Sequence, residues 1–305
     1  MRRLLLFTTV LIAILLFFSK LTFAQKDSVT KKKSYFKAGL DYLSNAVYSG
    51  RKDSSVVSYI KPSISYVNKS GFSLGAEMSV LANSPEAGRI DEIALEAGYD
   101  YSKGNFDAGA YASKYFYSDA SYAVASELAG DAGAYFSYDL DFLKLGAGGD
   151  FLFSTGTDIS VNFNLSHSFE MGPDSSKWTI SPTAQIGAGT QSFYRAYYKN
   201  RKFSFGTTTG NGGSGSSHGK GHHTTSGGTS TGTSKTLTFL TQNQFTVLDY
   251  EVSIPIEYEH KRWGFHITPV FAIPVNPMTY AINGVLQKET LTNSFFADAG
   301  FYLKF

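Results

Sequence analysis

Three groups of residues in this chain have types and spacing that could do chemistry. The first flanks a tight turn. If Lys261-Arg262 form a two-residue turn, His260 faces Trp263, Tyr258 faces Phe265, Ile256 faces Ile267 and Ile254 faces Pro269. The opposite face then sets Glu257 against His266, a carboxylate and an imidazole that could exchange a proton. The plainer reading is an ordinary cross-strand contact. The second group is His167 in "NLSHSFE", which superficially suggests a hydrolase. Alternation along a strand turns Ser166 and Ser168 to the face opposite His167. A Ser–His dyad needs hydrogen-bond reach, so no catalytic residue is expected here. The third is "GTTTGNGGSGSSHGKGHHTTSGGTSTGTSK", residues 206–235, where His218, His222 and His223 could take Cu, Ni or Zn transiently. It holds no Cys and no acidic residue, and its composition is that of a disordered hydrophilic loop. No metal centre and no cofactor is expected. No phosphate-binding loop, dinucleotide fingerprint, zinc-ligand spacing or nucleophile elbow occurs in a supporting context.

The composition narrows what could position such residues. The 305 residues include 20 Tyr, 25 Phe and 30 Gly, and only 17% are charged. Cysteine is absent, which excludes a disulfide framework, a thiolate metal site and a Cys nucleophile. A formal net charge of +2 does not suggest a nucleic-acid partner. "MRRLLLFTTVLIAILLFFSKLTFAQ" has two arginines, an apolar run over 4–18 and Thr22-Phe23-Ala24. This is the layout of a secretory signal peptide over 1–24, with an uncleaved anchor as the alternative because Lys20 sits late. Its removal lowers the basic residues from 27 to 24, against 25 acidic ones, which leaves a nearly neutral chain. Residues 25–34, with "KKK", read as a solvated lead-in.

Period-2 alternation dominates everything after that. In "FSLGAEMSVLA", Phe72, Leu74, Ala76, Met78 and Val80 share a face, and Ser73, Gly75, Glu77 and Ser79 share the other. "ISVNFNLSHSFEM" and "LDYEVSIPIEY" repeat the pattern. About twelve strands follow, near 35–48, 55–67, 72–82, 90–102, 106–117, 124–138, 143–154, 159–171, 178–193, 238–260, 263–275 and 293–305. They reach the ~9–11 residues that a tilted strand needs to cross a bilayer. Connections after even strands are short: 68–71, 103–105, 140–142, 172–177 and 261–262. The longest, 194–237 and 276–292, follow odd strands. That parity suits an up-and-down barrel with both ends on one side.

A soluble sandwich would bury the apolar face, whereas a membrane barrel turns it to lipid. The signal peptide, the strand lengths, the small residues on polar faces ("AGLDY", "AGAYAS", "LGAGGD") and aromatics beside the short turns favour the second. The expected fold is an all-β transmembrane antiparallel barrel over 35–305, with long extracellular loops and short periplasmic turns. The polar face then lines the interior. The candidate solute path comprises Asp41, Lys61, Glu77, Glu92, Glu96, Asp100, Asp131, Asp150, Asp249, Glu251, Glu257, His266 and Asp298. Such an acidic lumen would enrich cations. Alternatively, these groups pair among themselves and fill the barrel. Eight strands are filled by side chains and sixteen leave a channel, so twelve leaves both open.

The final strand resembles the C-terminal assembly signal of bacterial outer-membrane β-barrels. It carries the terminal aromatic Phe305 with Leu303, Phe301, Ala299, Ala297 and Phe295 in alternating phase. That resemblance implies recognition by the barrel-assembly machinery and residence in outer-membrane lipid. The stretch "FKAGLDYLSNAVYSGRKDSS" also resembles the first hairpin of TorF-type porins, with Tyr42, Tyr48, Gly50 and Arg51 in matching places. The function expected is a porin-like passive channel for small polar solutes with mild cation preference. The alternatives are a non-conducting surface barrel that binds through its long loops and, a distant third, an outer-membrane lipid hydrolase. The solute and the oligomeric state stay open.

Overall fold

The computed structural model describes residues 33–53, 55–83, 86–154, 156–192, 194, 237–239 and 244–305. The expected signal peptide and the His-bearing 206–235 segment lie outside them. The wall runs β1 Tyr35–Leu43, β2 Tyr59–Val67, β3 Phe72–Leu81, β4 Ile90–Lys103, β5 Phe106–Tyr117, β6 Gly130–Asp139 and β7 Lys144–Phe153. It continues with β8 (Thr157–Ser166, then Phe169–Met171), β9 (Ser176–Ile180, then Thr183–Gly189), β10 (Thr246–Ser253, then Ile256–His260), β11 Trp263–Pro274 and β12 Ser294–Lys304. Each strand pairs antiparallel with its neighbour in sequence. β12 pairs with both β11 and β1, setting Phe301 opposite Phe265 on one side and Leu40 on the other. The fold is therefore a closed twelve-stranded antiparallel barrel with no free sheet edge.

Alternation explains what each face carries. Phe36, Leu40, Ile64, Leu74, Phe136, Phe151, Phe163, Val252 and Phe295 all stand exposed on the outside. Phe163 is 61% exposed and Phe295 70%, in a belt far more apolar than a water-facing surface tolerates. Hydrocarbon is the solvent that suits it, because every wall strand is paired on both sides and no ladder edge is left open toward lipid. Aromatic rings gather near the short turns. Trp178 lies 4.8 Å from Tyr258 and 5.4 Å from Phe265, and Phe36 lies 5.0 Å from Tyr66.

The predicted 261–262 hairpin forms in the expected register, with His260 opposite Trp263, Ile256 opposite Ile267 and Glu257 opposite His266. The first strand, expected over 35–48, ends at Leu43, because Val47–Tyr48 pairs with Arg51–Lys52 in the following loop rather than with the wall. Three further details differ from the sequence reading. Val124–Glu127 is a 3-10 turn rather than the start of a strand, so β6 begins at Gly130. Leu237–Phe239 is not part of the wall and pairs instead with Thr279–Ile282, in a small sheet completed by Val285–Lys288. Third, β8, β9 and β10 are each interrupted in one row, at 167–168, 181–182 and 254–255. Pro182, Pro255 and Pro269 fall on this row and lack the N–H that a ladder needs. The row is held by His167 N to Pro182 O at 3.2 Å, Ser181 N to Pro255 O at 2.9 Å and Ile254 N to Pro269 O at 3.1 Å.

Candidate functional site

On the inner wall, glycines act as floors over which side chains of flanking strands meet. Tyr111 on β5 donates to Asp150 on β7, across β6. A Cβ at Gly133 would lie 2.1 Å from Asp150 Oδ1 and 2.9 Å from the Tyr111 ring, so a larger residue there would have to displace the bridge. Tyr135 on β6 donates to Asp100 on β4 over Gly109 in the same way. Over Gly264 on β11, Glu259 on β10 takes hydrogen bonds from Tyr302 Oη at 3.2 Å and Lys304 Nζ at 2.7 Å on β12. Over Gly300 on β12, His266 Nε2 lies 2.8 Å from Asp298 Oδ1 and 3.5 Å from Asp41 Oδ1 on β1. The inward glycines thus make room for bridges lying along the wall. In "AGAYAS" the glycine and tyrosine turn inward, while Ala110 and Ala112 stand exposed outside. The expectation that glycine and alanine alike sit on the polar face is corrected there.

The predicted path residues fall into several groups. Asp41, His266 and Asp298 come together, with ligand atoms all within 4.8 Å of one another. Although Glu257 is opposite His266 in register, the histidine's hydrogen bond goes to Asp298. Lys61 pairs with Glu77 at 2.7 Å. Asp131 accepts from Tyr115 at 3.0 Å, and Glu92 accepts only a 3.4 Å contact from Ser79 Oγ. Asp249 and Glu251 stand side by side on β10, with Asp249 buried. Among the described residues, Glu96 and Glu257 have no hydrogen bond or ion pair. Away from this wall, His167 packs edge-on to Phe169 at 4.5 Å, while Ser168 Oγ meets Ser181 Oγ at 2.9 Å. No Ser–His dyad is assembled there.

The long-loop end is built differently. The 44–58 loop carries a hairpin, Val47–Tyr48 with Arg51–Lys52, closed by Ser49 and Gly50. Both turn residues have positive φ, 48° and 70°, as a type I′ turn requires. The hairpin tip reaches the wall three strands away. A Cβ on Gly50 would already sit 3.0 Å from Asp249 and Pro274. Arg51, only 3% exposed, donates to the carbonyls of Leu248 at 3.4 Å, Val275 at 3.3 Å and Asn276 at 3.4 Å. Its Nε lies 3.4 Å from Glu289 and its guanidinium 5.3 Å from the Tyr194 ring. Glu289 in turn accepts from Met278 N at 3.1 Å.

Two fully buried aspartates anchor other loops. Asp91 accepts from Ser121 Oγ at 2.7 Å, Arg89 Nη2 at 2.8 Å, Ser118 Oγ at 3.0 Å and the Tyr59 hydroxyl. Asp158 accepts from Thr190 Oγ1 at 2.6 Å and Ser192 N at 2.8 Å. Val124 and Leu128 of the 118–129 loop then pack with Leu152, Tyr194 and Met278, and Tyr48 packs against that cluster. Tyr48 belongs to the β1–β2 loop and Leu152 to β7, half-way around the ring, so the loops meet across the mouth.

Between these loops and the inner wall of β2 to β6 lies a cavity of about 210 Å³. Tyr48, Tyr59, Tyr115 and Tyr117 line it, with Lys61, Glu92 and Asp131. Sequence reasoning named the three charged groups and missed the tyrosines. Tyr115 and Tyr117 share phase with Asp107 and Ser113, so alternation carried a usable signal for them. Nothing local marks Asp91 or Arg51 as buried, because their partners come from loops distant in sequence.

No protein-family model matches this sequence, and no curated protein does either. Among solved structures the chain is similar to the KdgM porin, at 10% identity over 89% of this chain and 99% of that one, with a TM-score of 0.43. It is similar to the NanC porin at 10% identity over 88% and 100%, with a TM-score of 0.42. An outer-membrane channel from Pseudomonas putida F1 matches at 9% identity over 94% and 100%, with a TM-score of 0.40. Likeness at this distance carries no functional argument, and the assignment of fold rests on the strand closure itself.

Proposed function

We propose that this chain is an outer-membrane barrel forming a porin-like passive path for small polar solutes, with mild preference for cations. The observation that carries the reading is the charge of the inner wall. Carboxylates there outnumber cations, Lys61 and Lys144 are already paired with Glu77 and Asp107, and Glu96 and Glu257 remain unbridged. A cleft lined by one sign of charge concentrates counter-ions. Planar-bilayer recording tests it: cation-preferring conductance is expected, and either silence or anion preference would sink the proposal.

Outer-membrane placement follows in this reading from the apolar belt, and assembly from the terminal strand. Phe305 N donates to Phe36 O at 2.9 Å and Phe36 N to Phe305 O at 3.3 Å, so the last residue sits on the closing seam. Deleting Phe305 should lower the yield of inserted barrel in vivo. An unchanged yield would remove residues Phe301, Leu303 and Phe305 as an address for the assembly machinery. A relationship to TorF-type porins, on Tyr42, Tyr48, Gly50 and Arg51, is part of this proposal.

A second reading, a non-conducting surface barrel that binds through its loops, is favoured by one observation. The 44–58, 118–129 and 275–293 loops share a buried cluster across the mouth. Removing 206–235 separates the two. No conductance in either form, with surface binding lost on the deletion, supports the second reading, whereas conductance that the deletion alters supports the first.

A further inference from the structure

We propose that the 44–58 hairpin is the constriction that sets the size limit of the lumen, and that Arg51 is the residue that positions it. This rests on the channel reading and places its narrowest point. A loop that only decorated the rim would touch the strands it joins. The 44–58 hairpin instead meets the inner wall on two sides. Its base is closed by Val57 N donating to Asn45 Oδ1 at 3.0 Å and Ser58 Oγ donating to Ser44 O at 2.7 Å. Its middle roofs the cavity: Ala46, Val47 and Tyr48 line it opposite Tyr115 of β5 and Asp131 of β6. Its tip lies on the other side, where a Cβ on Gly50 would sit 3.0 Å from Asp249 of β10 and Pro274 of β11. β5 and β10 are five strands apart in a ring of twelve, so the hairpin crosses the bore between nearly opposite walls. A twelve-stranded ring is narrow to begin with, and a chain laid across it takes much of the cross-section.

Arg51 fastens the tip. Ser49 and Gly50 have little side chain to bury, so the turn itself brings almost no apolar grip. The guanidinium supplies it instead, donating to the carbonyls of Ser49 within the turn, Leu248 on β10, and Val275 and Asn276 just past β11. Its Nε lies 3.4 Å from Glu289. One planar fork of five donors can serve acceptors on several segments, whereas the point charge of a lysine can serve fewer. The other hold on the hairpin is Tyr48, packed against the cluster that includes Val124 and Leu152.

The test is single-channel recording of the full chain in planar bilayers, with liposome swelling in neutral sugars from a pentose to a tetrasaccharide. Arg51→Ala should raise conductance by about twofold or more, because ion flow follows the open cross-section, and should admit a larger sugar. Arg51→Lys should fall between wild type and Arg51→Ala. Cation preference should stay the same in all three, since the carboxylates lower in the lumen are untouched; a barrel that had merely loosened would lose preference as well. Gly50→Val serves as a second variant if Arg51→Ala does not fold, because its side chain lifts the tip while Arg51 is kept, and it should shift both readings the same way. Folded variants are those that keep the β signature in circular dichroism. Equal or lower conductance with an equal sugar limit in the folded variants would overturn the constriction and leave the channel standing. A silent wild type beside a conducting Arg51→Ala supports the constriction and refutes an open native path. Silence in every form refutes both.

Discussion

The two ends of the barrel interior use polar groups in opposite ways. At the long-loop mouth, charged and polar groups are removed from water: Asp91 and Asp158 are 0% exposed and Arg51 3%, each met by donors or acceptors from other segments. Toward the short turns, the pairs stay wet, with side chains 37% and 36% exposed in Lys144–Asp107 and 25% and 50% in Lys304–Glu259. A buried charge stripped of its partner is left uncompensated in a poorly polarisable setting, whereas an exposed one recovers its hydration. The mouth is thus built of loops tied by buried polar groups, and the lower lumen is a solvated wall.

This contrast can be broken most forcefully at Arg51. Arg51→Ala leaves the buried Glu289 without its cation and takes a donor from the carbonyls of Ser49, Leu248, Val275 and Asn276, and should cost about 3–5 kcal/mol of local stability. Limited proteolysis should then cut within 44–58 and 275–293 while the strands stay protected. Equal protection of wild type and variant would show that the mouth does not depend on this anchor. A smaller effect is expected at the glycine floor: Gly133→Val forces Tyr111 and Asp150 apart, and overpacking of this kind costs about 1–3 kcal/mol. Urea-dependent unfolding in micelles measures it, and a neutral result would mean the bridge simply shifts. Smaller again, Glu96→Gln with Glu257→Gln should leave stability unchanged and move the zero-current potential in a salt gradient toward that of a neutral pore. The last and weakest is Lys144→Met, worth about 0–1 kcal/mol because its pair with Asp107 is screened by water. A loss several times larger would erase the distinction between the two regions.

Much of the wall was legible before any coordinates. Alternation in "FSLGAEMSVLA" set Glu77 and Ser79 inward, and the 261–262 turn fixed the register of β10 on β11 to the residue. These follow from local rules, because a strand's side chains alternate and a two-residue turn leaves one pairing. The candidate site was legible only as a phase. Glu257 was the expected neighbour of His266, yet the histidine bonds Asp298 on the other flanking strand and approaches Asp41 one strand further. Phase tells which face a residue occupies, not which of several like neighbours it will choose. Val124–Glu127 went astray for a related reason: alternating apolar residues also suit a turn whose Val124 must reach a buried cluster.

Sequence alone determined the barrel class, the strand count and the inward carboxylates, since each depends on periods and lengths readable within a dozen residues. Tertiary structure alone decided that Arg51, Asp91 and Asp158 are buried anchors, that glycines carry cross-strand bridges, and that loops enclose a cavity lined by tyrosines. Asp91 takes a partner 30 positions away and Asp158 one 34 positions away, on neighbouring strands and loops, whereas Arg51 takes one from 197 positions away. Neither kind of contact leaves a periodic trace in the chain, and only pairing of the strands and closure of the ring bring the partners within reach.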